Sequence, residues 1–150
     1  MVRPLLLLAL LLLVGGCGDR APTPIPVTPT TVSSIPANLV GIEWKLVSYG
    51  PASAPTAALP QTEVTLEFEQ NGKISGSAGC NGYFGSVTID GEKLLQTSPV
   101  GNTVMGCVDK AVTAQETAFL EAFYEVESIK VVDSTLTLGY PDGELVFTKP

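Results

Sequence analysis

A glycine-rich stretch that follows a clear strand pattern constrains the fold of this chain more than any other feature. Val64, Leu66 and Phe68 alternate with polar residues, which predicts a strand with one buried and one solvated face. The turn signal Asn71-Gly72 comes next, because both central residues of a type I′ hairpin turn need positive φ. Small residues then recur along the returning chain as far as Gly85, which leaves room for another backbone or for large side chains across a barrel.

Short strand patterns recur along the rest of the chain. The alternating segments lie near residues 42–46, 83–89, 92–97, 129–131, 136–140 and 145–147. Asp90-Gly91 predicts a second type I′ turn, and Ser98-Pro99 is expected to end the strand that follows it. We therefore predict a mainly β fold with one helix (α+β), in which an antiparallel meander closes into a small or cracked β-barrel.

One amphipathic helix is predicted in the second half of the chain. Thr113 and Glu116 have the spacing of a capping box, in which each side chain satisfies a backbone amide of the other residue. Apolar residues recur at helical spacing at Val112, Phe119, Leu120, Phe123 and Val126. We expect this helix to pack on the barrel as part of the core, and partner binding is the alternative role.

The N-terminus has the pattern of a secretory signal. Arg3 precedes an apolar run, Leu5–Val14, that is too short to span a bilayer as a helix. Val14-Gly15-Gly16-Cys17 resembles a bacterial lipobox, in which cleavage leaves the cysteine to receive lipid. We predict a lipoprotein signal peptide over residues 1–16 and a membrane anchor at Cys17. An ordinary signal peptide with an incidental cysteine is the alternative.

The segment that follows predicts a tether. Residues 17–38 begin with the lipidated cysteine and are rich in Pro and Thr, and alternate prolines exclude helix and favour an extended chain. A spacer is favoured over a ligand for a proline-recognition module, because a lipid anchor lies upstream. The folded domain is expected over residues 39–150. Export would place it at the cell envelope, at the outer membrane in a Gram-negative organism, since Gly18 rather than Asp follows the lipidated position.

The glycine-rich stretch also carries a family resemblance. Gly79-Cys80-Asn81, followed by Tyr83, Phe84 and Gly85, resembles the central motif of the META domain family, which includes the bacterial heat-shock protein HslJ. Further matching pieces occur in order: Trp44-Lys45-Leu46, Thr103-Val104-Met105-Gly106-Cys107, Glu116 with Phe119-Leu120, Leu136-Thr137-Leu138 and Leu145-Val146-Phe147. The resemblance covers residues 40–150 and implies a small β-rich domain common in envelope lipoproteins. The segment that ends at Cys107 departs slightly from the family pattern, where a second Met or an Ala often precedes the cysteine.

Two of the three cysteines are expected to pair. Export implies an oxidising compartment, and lipidation of Cys17 leaves Cys80 and Cys107 as an even pair. Two buried free thiols are the alternative. Two cysteines without histidine do not complete a tetrahedral ligand set, so neither a metal site nor a cofactor is expected.

Composition argues against catalysis and against nucleic acid as a partner. The sequence has no histidine, the usual general base near neutral pH, and it has no recognisable nucleophile motif. Its net charge of −7 repels phosphates. The acidic cluster Glu63, Glu67 and Glu69 falls on the solvated strand face, where it keeps the domain soluble. We predict a non-enzymatic domain, expected to be monomeric.

The remaining candidate site is the corner after the glycine-rich strand. Asn81 can serve as a turn residue, because asparagine tolerates positive φ. Alternatively Asn81, Tyr83, Phe84 and Thr103 line a binding corner that offers backbone amides, one side-chain amide and aromatic surface. We predict binding of a protein or small ligand in stress response or envelope maintenance. A hollow barrel that carries a small apolar ligand is the alternative function.

Overall fold

The computed structural model describes residues 35–150, which form a barrel of antiparallel strands with one helix packed against it. The signal peptide, Cys17 and residues 18–34 of the tether lie outside the described residues. The elements are β1 (Trp44–Gly50), β2 (Thr56–Ala57), β3 (Thr65–Phe68), β4 (Lys73–Ser77), β5 (Gly82–Asp90), β6 (Lys93–Asn102), α1 (Lys110–Tyr124), β7 (Ser128–Val132), β8 (Thr135–Tyr140) and β9 (Gly143–Thr148). The predicted fold class is confirmed.

Strand β1 closes the barrel. Its first residues pair with β3, as in Trp44↔Leu66, and its other edge pairs with β9, as in Leu46↔Phe147. The remaining strands follow in sequence order from β3 to β9, so eight strands form a closed ring. The short β2 adds to the end of β1 through Ser48↔Ala57, beside the ring.

Large side chains from the strands and the helix fill the barrel. The most deeply buried of them are Trp44, Leu66, Phe68, Ile74, Tyr83, Leu94, Phe119, Phe123, Leu136, Leu138, Leu145 and Phe147. The strand residues of this set come from alternating positions, because successive side chains of a strand point to opposite faces. Helix α1 contributes Phe119 and Phe123, whose ring centroids lie 5.4 Å and 5.1 Å from that of Tyr83. Trp44, the single tryptophan of the sequence, is fully buried in this core.

The ring is weakest between β6 and β7, where the helix helps to close it. The strands share one residue pair, Lys93↔Ser128, among the described residues. Further along β6, the Gln96 side-chain amide donates to the carbonyls of Phe123 and Tyr124, at 2.9 Å and 3.1 Å, at the end of α1. The end of the helix thereby supplies hydrogen-bond acceptors to β6 at a point where β7 no longer pairs with that strand. This described helix is neither long enough nor apolar enough to cross a membrane.

Strand β6 runs further than predicted. Ser98-Pro99 was expected to end it, but it continues to Asn102. Pairing shifts from Phe84↔Gly101 to Ser86↔Ser98, so Pro99 and Val100 together lie opposite Gly85. Such a bulge accommodates a proline, which has no N–H to give to a strand ladder.

The hairpins lie where they were predicted, but their turn type differs. Gly72 and Gly91 have positive φ, at 84° and 60°, whereas Asn71 and Asp90 do not. A type I′ turn needs two such residues, so that prediction is wrong at both places. Because β5 extends through Asp90, glycine takes the first central position of the second turn, as in a type II′ turn.

The helix also begins earlier than predicted. Its N-cap is Asp109, whose carboxylate accepts from the Ala111 N–H at 2.7 Å. Thr113 lies inside the first turn, where its hydroxyl donates to the Asp109 carbonyl at 3.1 Å. The predicted capping box is therefore wrong. Aspartate is an equally strong N-cap, and the earlier start releases Glu116 to point into the protein.

Candidate functional site

The candidate site begins at the corner between β4 and β5. The chain turns there through Gly79, whose φ of 109° is available to glycine at little cost. The Ala78 N–H donates to the Asn81 carbonyl at 2.7 Å and closes the turn. The turn directs the Asn81 side chain inward, where only 4% of the residue is exposed.

Glu116 holds this corner from the helix. One carboxylate oxygen, Oε2, accepts from the Asn81 and Cys80 backbone N–H groups at 2.6 Å and 3.2 Å. The other, Oε1, accepts from the Asn81 side-chain amide at 2.7 Å. Glu116 is 8% exposed, and the ion pairs of residues 35–150 do not include it. A buried carboxylate without a cation needs such donors, and here three N–H groups supply them.

The Asn81 side chain extends the same network to the 103–108 loop (Thr103–Val108). Its Oδ1 accepts from the Met105 N–H at 2.7 Å and from the Thr103 hydroxyl at 3.0 Å. Its Nδ2 also donates to the Met105 carbonyl at 3.3 Å. One asparagine side chain therefore satisfies both backbone polar groups of Met105. The loop is fixed in this way although residues 103–107 form neither helix nor strand.

A disulfide attaches the loop a second time. Cys80 and Cys107 are bonded, with their Cα atoms 6.1 Å apart, which confirms the predicted pairing. The bond joins the residue before Asn81 to the residue two positions after Met105. The loop is therefore held by a covalent link and by side-chain hydrogen bonds to the same corner.

The loop presents apolar side chains to solvent. Val104 is 92% exposed, Met105 is 60% exposed and Val108 is fully exposed. Scattered apolar residues are normal on a surface, but three within five positions give this loop an apolar tip. The buried polar network therefore supports an exposed apolar surface.

The structure brings together only part of the predicted binding corner. Asn81 and Thr103 are in direct contact, as described above. Tyr83 instead points into the barrel, where its hydroxyl donates to the Thr65 carbonyl at 2.7 Å. Burial raises the pKa of this phenol well above its usual value. Phe84 is exposed on the opposite face of β5, where its ring would meet any side chain added at Gly101.

Glu116 was missed as a site residue because its partners are far away in sequence. A glutamate in a helix normally faces solvent, and the Asn81 amide lies 35 residues earlier. A signal was nevertheless present. Positions 115 and 116 lie between Val112 and Phe119 on the apolar stripe, so the helical period places Gln115 and Glu116 on the buried face.

Gln115 has a corresponding role for a different connecting segment. Its side-chain oxygen accepts from the Leu59 N–H at 2.6 Å, and its amide donates to the Thr62 hydroxyl at 3.0 Å. These contacts attach the segment after β2 to α1. The two buried polar residues of the helix thus each anchor a connecting segment.

A surface groove lies away from this corner, along the weak seam of the barrel. It has a volume of about 690 Å³ and runs between β6, the end of α1 and the β8–β9 turn. Its walls include Leu95, Tyr124 and Tyr140. Neither Asn81 nor any residue of the 103–108 loop lines it, so the groove is a separate feature.

Solved structures of other proteins share this fold. An NMR structure of a protein from Burkholderia xenovorans has a TM-score of 0.62 and 22% sequence identity, over 92% of this chain and 99% of that one. A second NMR structure has a TM-score of 0.59 and 19% identity, over 76% of this chain and 93% of that one. At such identities the likeness concerns the fold alone.

No curated protein matches the chain. The model of the META domain matches residues 37–150, which include every strand and the helix described above. The match also spans the corner at Asn81, the 103–108 loop and Glu116. The chain belongs to the META domain family.

Proposed function

We propose that this protein is a non-enzymatic recognition module of the cell envelope, whose 103–108 loop contacts a partner protein. The observation that carries the proposal is the combination of exposure and fixation in this loop. Val104, Met105 and Val108 face solvent, while Asn81 and the disulfide hold the backbone between them. Exposed apolar surface that is rigidly presented is typical of binding sites.

The fixation matters because it reduces the cost of binding. A loop that must become ordered loses conformational entropy when the complex forms, at about 0.5–1.5 kcal/mol for each immobilised side chain. Here the Met105 backbone is already hydrogen-bonded on both its N–H and its C=O. The loop therefore meets its partner in the conformation seen in the free protein.

The shape of the surface favours a protein partner over a small molecule. Small-molecule sites are concave and enclose most of their ligand, whereas the apolar residues of this loop project outward. The hollow-barrel alternative would need interior space that Trp44, Phe119 and Phe147 occupy. A protein surface with a complementary apolar depression fits the loop best.

The corner offers little for catalysis. Glu116 and Asn81 satisfy each other and the loop, and the sequence provides no histidine to move a proton near neutral pH. Turnover of any substrate at the corner would contradict the non-enzymatic part of the proposal.

The envelope location rests on the N-terminal sequence. The apolar run Leu5–Val14 and the cysteine that follows it support lipidation at Cys17. Mass spectrometry of the mature protein should find a diacylated or triacylated Cys17, and Cys17→Ser should release the domain from the membrane fraction. A Cys17→Ser protein that still fractionated entirely with membranes would contradict the anchor. The assignment to stress response or envelope maintenance depends on this location.

The loop is tested by comparing two pairs of exposed valines. Val104→Ser/Val108→Ser changes the apolar tip, and Val47→Ser/Val132→Ser is the matched control elsewhere on the surface. A photo-reactive residue at position 106, which lies between the two loop valines and is unchanged in both variant pairs, should cross-link a partner in cells of the source organism. A photo-reactive residue at position 132 of the otherwise unchanged protein should not.

Loss of the cross-linked product in the loop pair, with the same melting temperature as the control pair, is the expected result. Equal cross-linking from positions 106 and 132, or equal cross-linking from position 106 in both variant pairs, would overturn the proposal.

A further inference from the structure

The candidate corner contains a cluster that the sequence did not reveal. The sulfurs of Cys80 and Cys107 and a carboxylate oxygen of Glu116 all lie within 4.8 Å of one another. The ligand atoms of a tetrahedral zinc ion lie about 3.5–4 Å apart, given bonds of about 2.3 Å to sulfur and about 2.0 Å to oxygen. The carboxylate oxygen already lies within 4.8 Å of both sulfurs. The sulfurs are bonded to each other, so they must move apart by about 1.7 Å once the disulfide is reduced.

We propose that reduction of the Cys80–Cys107 disulfide creates a zinc site formed by Cys80, Cys107 and Glu116. Two thiolates and one carboxylate are ligands that Zn²⁺ accepts, and together they overcompensate its charge by one unit. Both cysteines are partly exposed, so water can take the fourth position. This inference goes beyond the proposed function, because it concerns the reduced protein and needs no partner.

Glu116 has one acceptor position left for a metal. A carboxylate offers about four lone-pair sites, two on each oxygen. The two backbone N–H groups of the corner use both sites of Oε2, and the Asn81 amide uses one site of Oε1. The second site of Oε1 is the one we assign to zinc, and the three donors orient the carboxylate as outer partners do in established metal sites.

The corner keeps its ligands together after the covalent link is broken. Asn81 binds Glu116 through Nδ2 and the 103–108 loop through Oδ1, and neither contact involves the disulfide. Cys107 follows Met105 by two residues, so its sulfur stays near Cys80. The carboxylate and the two cysteine backbones are therefore held near one another before the metal arrives.

The chemistry requires a dithiol reductant. The dithiol supplies two electrons and two protons, the S–S bond breaks, both sulfurs become thiols, and the reductant itself becomes a disulfide. Zinc then displaces the two thiol protons to solvent. Because the oxidised sulfurs are bonded to each other and hold no thiolate charge, the disulfide and the bound metal exclude one another.

The test uses the full chain, purified in detergent, before and after reduction and with Co²⁺ as a spectroscopic probe. Reduced protein should show sulfur-to-cobalt charge-transfer absorption and the visible bands of tetrahedral Co²⁺, and one equivalent of Zn²⁺ should abolish them. Oxidised protein and Cys80→Ser/Cys107→Ser should show neither. Reduced wild-type protein without charge-transfer absorption would overturn the proposal.

The role of Glu116 is tested separately. Glu116→Gln should weaken zinc binding at least about tenfold, whereas Glu121→Gln, on the exposed face of the same helix, should not change it. Equal zinc affinity in Glu116→Gln and wild type would contradict the three-ligand site. Should Glu116→Gln fail to fold, X-ray absorption spectroscopy of zinc bound to the reduced wild-type protein identifies the ligand atoms instead. Two sulfur ligands with oxygen ligands are expected, and sulfur ligands alone would overturn the assignment.

Discussion

The 103–108 loop and the β7–β8 hairpin both expose valine, but they do so by different means. At the hairpin, Val132 pairs with Thr135 at the end of a regular ladder, and its 53% exposure follows from strand alternation. Residues 103–107 have no ladder, and Val104 is 92% exposed beside a backbone held by Asn81 and a disulfide. Exposure at the hairpin needs only backbone hydrogen bonds, whereas exposure at the loop depends on a few particular side chains.

This difference predicts opposite sensitivities to substitution. Backbone ladders tolerate most side-chain changes, because the bonded groups are common to every residue except proline. A network built on Glu116 and Asn81 has no such redundancy. Single substitutions should therefore be costly at the corner and mild at the hairpin.

The largest effect is expected for Glu116→Ala. It leaves the Cys80 N–H, the Asn81 N–H and the Asn81 side-chain amide without their acceptor. Unfolding free energy should fall by about 3–5 kcal/mol, because each orphaned buried donor costs about 1–3 kcal/mol. Urea denaturation measures the change, with the exposed Glu121→Ala as the matched control on the same helix. Similar midpoints for the two variants would contradict the role assigned to Glu116.

Loss of the disulfide should have the next largest effect. The bond closes a loop with a sequence separation of 27, for which removal costs about 3–4 kcal/mol in the chain-entropy model. Cys80→Ser/Cys107→Ser should lower the melting temperature and speed proteolysis at the 103–108 loop, while the β7–β8 hairpin stays intact. If the protease cleaved the hairpin before the loop, the loop would not depend on the disulfide more than the hairpin does, contrary to our expectation.

Tyr83 gives a smaller, pH-dependent effect beneath the corner. Burial raises the pKa of its phenol well above the usual value of 10.0, so the folded protein keeps the proton to higher pH than the unfolded chain does. The resulting stability is complete below pH 10, where both states are protonated, and declines as pH rises above it.

Tyr83→Phe should lose about 1 kcal/mol near pH 7 with the hydrogen bond to Thr65. It should also show a shallower loss of stability than wild type between neutral and strongly alkaline pH. Parallel stability curves for the two proteins above pH 10 would contradict the burial of this phenol.

The smallest effect is expected at the hairpin turn. Asp133 has a φ of 53°, the positive value that glycine adopts more readily than any other residue. Asp133→Gly should raise unfolding free energy by no more than about 1 kcal/mol and leave the 103–108 loop unchanged. Urea denaturation measures the free energy, and NMR chemical shifts report on the loop. Changed shifts at Met105 would show that the hairpin turn and the loop are coupled.

Much of the fold was predictable because its signals are local. Alternation at Val64, Leu66 and Phe68 marks a strand whatever lies beside it, and the glycine positions mark the hairpins. The helix start was not predictable in this way, because Asp109 and Thr113 are both good N-caps and only tertiary packing decides between them. The type of the second turn likewise depended on where β5 ended.

The site was harder to predict than the fold, because its contacts are distant in sequence. The pairing of Cys80 with Cys107 followed from parity and export. Glu116 was assigned to a local cap, since a glutamate three residues after a threonine can accept from the threonine N–H just as it accepts from the N–H groups of the distant corner. Its inward direction follows from its place on the apolar stripe between Val112 and Phe119, and the earlier helix start leaves it free of the cap.

The rigidity of the loop is tested most directly by hydrogen exchange at the Met105 amide. Although Met105 is 60% exposed, its N–H donates to Asn81 Oδ1 at 2.7 Å. Our account predicts exchange at least about 100-fold slower than in an unstructured peptide, and fast exchange in Asn81→Ala with the β7–β8 ladder still protected. Fast exchange at Met105 in the wild-type protein, or the same protection in Asn81→Ala, would contradict it.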